Sequence, residues 1–158
     1  MKLTALEILE RCRRAEAEQQ RLREKRESYL DAATGMGIRL DGIGSRGSGG
    51  QDRMGSIVGE IDAVERALKR RSEEYAAEVL AAGRLLDLLP VQERRVLRGC
   101  YLQKLPLKNV AAELGYSYGY VRSLKAAGRR RLGSVPVREV EALLPEWYVA
   151  DERKKRTR

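Results

Sequence analysis

Histidine and phenylalanine are absent from this chain, and aromatic residues make up only 5% of its 158 residues. Without histidine no side chain titrates unperturbed near neutral pH, and the commonest zinc ligand is missing. Most hydrolytic and acid–base constellations therefore cannot be assembled. The chain reads as a non-enzyme with no catalytic residues, no metal and no cofactor. Cysteine is nearly absent too. Cys12 and Cys100 are far apart in sequence, make no disulfide framework and point to a reduced cytoplasm. No uninterrupted apolar run reaches the roughly 18 residues a membrane span needs, so no membrane association is expected. The N-terminus, MKLTALEILERCRR, carries acids among its apolar residues and no small-residue cleavage site, unlike a signal peptide.

What the chain does have is charge, at 35% of residues, with a formal net charge of +9. Its distribution carries the information. Residues 1–89 hold 16 Lys/Arg and 16 Asp/Glu, whereas residues 90–158 hold 16 and 7. Residues 90–132 alone hold ten basic and two acidic side chains. A localised excess of this kind is the electrostatic footprint of a polyanionic partner.

Residues 2–34 read as one long helix. Ile8, Cys12, Ala15, Leu22, Tyr29, Ala33 and Met36 recur in a 4-3-4 rhythm, interrupted by Gln19 and Arg26. Eight of the 21 residues in 35–55 are glycine, so neither helix nor strand is expected to persist there. A second periodic run follows, through Met54, Ile57, Ile61, Val64, Leu68, Tyr75, Val79, Ala82, Leu86 and Leu89. If facing residue numbers sum to 90, the two runs align their apolar layers, with Ile8 opposite Ala82, Leu22 opposite Leu68, and Gln19 meeting Arg71. This register favours an intramolecular antiparallel coiled-coil hairpin. A parallel homodimer of each helix is the alternative.

Beyond Pro90 a helix is expected over roughly 91–102. The sequence PLKNVAAELGYSYGYVRSLKAAGRRRL at 106–132 then sets out two helices around a turn. Val110, Ala111 and Leu114 give the first helix an inner face. Gly115 permits a positive φ at the turn, and Ser117 caps the next helix. Val121, Leu124 and Gly128 line the inner side of that second helix, 117–132. Its outer side presents Tyr118, Gly119, Tyr120, Arg122, Ser123 and Lys125. A helix-turn-helix places such residues against base edges in the DNA major groove. Lys108, Arg129, Arg130 and Arg131 are better placed for phosphates. A short helix near 137–144 follows, then Trp147 and Tyr148, read as packing residues. The tail DERKKRTR is expected to be disordered and to add phosphate affinity. GIGSRG at 42–47 matches the dinucleotide-binding G-x-G-x-x-G, but no βαβ unit surrounds it, so a hinge is the better reading.

The stretch DLLPVQERRVLRGCYLQKLPLKNVAAELGYSYGYVRSLKAAGRRRL, at 87–132, resembles region 4 of sigma-70-type factors. The leucine-proline start, the E-R-x-V-L-type helix and the helix-turn-helix occur in the same order. No counterpart of sigma region 2 is present, and Tyr118 and Gly119 stand where sigma factors often carry Arg, Glu or Gln. The whole layout is similar to small phage transcriptional regulators of the RinA/ArpU type. These resemblances imply promoter or operator binding, contact with RNA polymerase, and a phage or prophage origin.

The expectation is therefore an all-α chain: a long N-terminal antiparallel helical hairpin (coiled coil) plus a C-terminal sigma-region-4-like helix-turn-helix domain. The expected divisions are 1–89 for the hairpin with its connector at 35–55, 90–135 for the DNA-binding domain, and 136–158 for a short helix and basic tail. The expected function is sequence-specific regulation of transcription on double-stranded DNA in the bacterial cytoplasm, associated with the nucleoid. RNA polymerase and a homodimer through the hairpin are the further partners. Two other readings stay open: a DNA-packaging protein of the small-terminase kind, and a polymerase-binding adaptor without DNA affinity.

Overall fold

A computed structural model describes residues 2–42 and 48–158, with side chains at 2–35 and 53–158. Among them the only regular structure is helical. The elements are α1 (Ala5–Gly42), α2 (Ser48–Leu86), α3 (Val91–Leu97) with a π-helical turn at Arg98–Leu102, α4 (Leu107–Leu114), α5 (Tyr118–Gly133), α6 (Val137–Ala142) and α7 (Glu146–Arg156). The all-α expectation holds. Local chemistry sets the helix starts. Thr4 Oγ1 accepts from the Glu7 backbone N–H at 3.1 Å at the head of α1. Pro90, Pro106, Pro136 and Pro145 stand at the N-caps of α3, α4, α6 and α7. There the fixed φ suits helix entry, and the missing N–H removes nothing the helix needs.

Three expectations need correction. The glycine-rich stretch 35–55 does not interrupt the helices where it is described: 35–42 complete α1 and 48–55 open α2. A glycine costs a helix only about 1 kcal/mol relative to alanine, less than a long flanking helix can carry. Residues 43–47 of the GIGSRG motif lie outside the described residues. The helix expected over 91–102 changes character at Arg98, where Gln103 N bonds to Arg98 O at 3.0 Å in the wider π spacing. The tail is not disordered. α7 runs to Arg156, anchored by Tyr148, Val149 and Glu152, all buried.

The chain divides into two compact units, Met1–Ala15 with Glu74–Arg158, and Glu16–Glu73. The division does not fall at 89/90 or 135/136. The first unit holds a continuous core in which Leu3, Ile8, Leu9 and Cys12 join Ala81, Leu85, Leu86, Val96, Leu97, Tyr101, Val121, Leu132 and Tyr148. Each such leucine contributes about 1.5–3 kcal/mol on burial. Two glycines allow the helices to meet closely. A Cβ at Gly128 in α5 would stand 2.7 Å from Leu97 Cδ1, and one at Gly99 would stand 2.9 Å from Val110 Cγ2. The same unit contains a polar lock. Arg11 donates to the Tyr148 hydroxyl at 2.8 Å and to Glu152 at 3.0 Å, and Tyr148 donates to buried Glu78 at 2.6 Å. Burial pushes the Tyr148 hydroxyl up, with Glu78 adding to the effect. At Glu152 burial works upward, but the bonds and charge of Arg11, with Lys155, hold the carboxyl below its usual range.

In the second unit each long helix has one protected stripe. Leu22, Arg26, Tyr29 and Ala33 on α1, and Met54, Ile57, Ile61 and Leu68 on α2, are half-buried, and Val64 is buried. Arg71 Nε lies 2.7 Å from Glu18 Oε2. A residue late in α2 thus meets one early in α1, as an antiparallel hairpin requires. The numbers of this pair fall one short of a sum of 90.

Candidate nucleic-acid interface

The turn between α4 and α5 is made by three residues, Gly115, Tyr116 and Ser117. Gly115 takes φ +70°, the left-handed region open to glycine at no steric cost, and Tyr116 N returns to Ala111 O at 3.0 Å. Ser117 then accepts from the Tyr120 backbone N–H at 3.2 Å and starts α5. Val121, Gly128 and Leu132 point into the core. α3 packs along α5, and α4 closes against it.

The outward side of α5 begins with Tyr118, which is 51% exposed, and Gly119. Arg122, one turn on, lies with its guanidinium 5.9 Å from the Tyr118 ring centroid. This cation–π contact orders both side chains while leaving the guanidinium donors outward. The Ser123 hydroxyl donates to Gly119 O at 3.1 Å, which leaves its lone pairs to accept. Gly119, Arg122, Ser123 and Ala126 line one shallow open depression on the helix.

The other expected contacts are placed differently. Tyr120 is tied sideways: its hydroxyl donates to Gln92 Oε1 at 2.7 Å, and its ring meets Tyr116 edge-on at 5.1 Å. Lys125 is half-buried, its ammonium 5.7 Å from the Tyr101 ring centroid. Arg129 hydrogen-bonds the Tyr101 hydroxyl and lies 3.6 Å from Glu10. Arg131 Nε lies 3.0 Å from Glu93, whose side chain is buried. Lys108, on the first turn of α4, and Arg130 are exposed. The structure thus brings Tyr118, Gly119, Arg122 and Ser123 onto one open surface, whereas Tyr120, Lys125, Arg129 and Arg131 also brace α5 against its neighbours. Sequence reasoning missed the residues that hold them, Gln92, Glu93, Tyr101 and Glu10. Only the buried-aromatic character of Tyr101 left any local signal.

Compared with known families, residues 85–133 match the family model described as Sigma-70, region 4. The matched segment contains α3, the π turn, α4 and α5, so this part of the chain is a sigma-region-4-like helix-turn-helix domain, and the family it matches is one of DNA-binding domains. No curated protein and no solved structure matches the chain.

Proposed function

We propose that this protein is a sequence-specific DNA-binding regulator of transcription, of phage or prophage origin, acting on the nucleoid in the bacterial cytoplasm. The observation that carries the reading is the open face of α5, where Tyr118, Gly119, Arg122 and Ser123 stand together on the second helix of a sigma-region-4-like domain. In this reading α5 enters the major groove. Arg122, ordered by Tyr118, grips a guanine edge through two parallel donors, and Ser123 accepts from the neighbouring base. Tyr118 meets a thymine methyl or a phosphate, and the exposed Lys108 and Arg130 neutralise the flanking backbone. Tyr120, Lys125, Arg129 and Arg131 reach DNA only at the helix flanks.

A single helix-turn-helix buries little surface, so tight binding calls for a second anchor. The helical hairpin fits a homodimeric coiled coil that pairs two readers, and RNA polymerase is the other anchor in this reading. The test is gel shift on the DNA upstream of the protein's own gene, comparing wild type with Arg122→Ala. Specific binding should weaken by about 1–3 kcal/mol, with discrimination relaxed at one base position. Equal binding of every sequence by both proteins would remove α5 from the groove.

A further inference from the structure

The segment matching sigma region 4 begins at residue 85, yet the structural unit containing it also includes residues 1–15. That N-terminal stretch of α1 reaches α5. Arg122, Lys125 and Arg129 share one edge of α5, being three and seven residues apart. Glu10 on α1 meets Arg129 at this edge, at 3.6 Å. Arg13, one turn further along α1, is exposed and makes no ion pair among the described residues. The charges of Arg13 and Lys125 both reach the buried Cys100. Burial pushes the Cys100 thiol up, and the charges of these two cations oppose it. Arg13, on the turn of α1 next to Glu10, therefore lies near the basic edge of α5 that Lys125 and Arg129 share.

The geometry points to Arg13 as a DNA phosphate contact supplied by α1, from outside the helix-turn-helix proper. The inference rests on the reading that α5 enters the major groove. That groove is about 12 Å wide, close to the diameter of a helix with its side chains, so the two phosphate backbones run along the long edges of an inserted helix. A cation beside this edge then faces one of those backbones. Arg13 adds a positive charge there that no residue of the matched segment supplies. Glu10, on the same face of α1, is neutralised by Arg129 and does not repel the strand.

The experiment is fluorescence anisotropy of the full chain on a labelled mixed-sequence DNA duplex across a salt series. Arg13→Ala should weaken binding about fivefold at low salt and flatten the slope of log K against log[salt] by about one. Arg13→Lys should restore the slope, because a phosphate contact needs charge rather than a bidentate fork. Arg66→Ala, an exposed cation in the 16–73 unit, should leave both quantities unchanged. If Arg13→Ala keeps the wild-type affinity and slope while Arg122→Ala weakens binding, the inference fails and the functional reading stands. If wild type shows no salt-dependent affinity for duplex DNA, both fall. A circular dichroism melt matching wild type separates lost contact from lost fold.

Discussion

Between Glu16 and Glu73 a single side chain, Val64, is buried among those described, whereas the other unit is built on a core running from Leu3 to Val149. The charges divide along the same line. Residues 16–73 hold 11 Lys/Arg and 11 Asp/Glu, and the remaining residues hold 21 and 12, so the whole net charge of +9 belongs to the cored unit. Both units are made of helices with the same 3–4 spacing of apolar residues. What separates them is layers: two helices can shield one stripe, while helices crossing at close range shield residues on several sides. The comparison teaches that a shared periodicity gives no measure of how strongly a region is held.

The contrast is broken most forcefully by equal substitutions in the two units. Leu97→Ala empties a fully buried site and should lower stability by about 4 kcal/mol in a denaturant melt. Leu68→Ala, at a half-buried seam position, should cost about 1 kcal/mol. Similar losses would mean that the 16–73 unit is as tightly cored as the other. Arg11→Ala should cost about 3 kcal/mol, because it strands Glu152 and Tyr148 in buried positions. Gly128→Ala drives a methyl against Leu97 and should cost about 2 kcal/mol, with weaker DNA binding as α5 shifts.

Acid should also act on one unit first. Glu152 is held below its ordinary range in the folded state, so its contribution is complete above the unfolded carboxylate value, about 4.3, and is lost as the pH falls through the folded value. Melting followed by Trp147 fluorescence should therefore drop at acid pH, and Glu152→Gln should flatten that drop. The smallest effect is expected from Arg71→Ala, which removes an ion pair whose Glu18 side chain is 41% exposed and should cost less than about 1 kcal/mol. A loss above about 2 kcal/mol there would show that one polar contact fixes the hairpin register.

The helix-turn-helix was legible because its determinants are local. Gly115, Ser117 and the inward positions Val110, Ala111, Val121 and Gly128 are fixed by spacings of three and four residues, and each is found where the pattern puts it. The hairpin stripes were legible for the same reason. The partners of the charged residues were not. Arg11 finds Glu152 across 141 residues of sequence, and Arg131 finds Glu93 across 38. In the sequence these are merely charges of opposite sign, and any of many pairings would satisfy them. The tail misled because DERKKRTR is polar throughout, while its order comes from Tyr148, Val149 and Glu152 seated in a core assembled elsewhere. The π turn was hidden because no residue type at Arg98–Leu102 marks the wider bond from Gln103 N to Arg98 O.

The four prolines have a consequence for topology. From Leu86 to the C-terminus every break between helices ends in a proline at an N-cap, except the turn made by Gly115, Tyr116 and Ser117. The pieces between are mostly 6–11 residues long, short enough that none would persist as a free helix. A chain this rich in helix formers, left unpunctuated, has a simpler solution: one rod continuing from α2, exposing its apolar residues for another rod to cover. Four rings among 158 residues forbid that solution and make a bundle the shorter path.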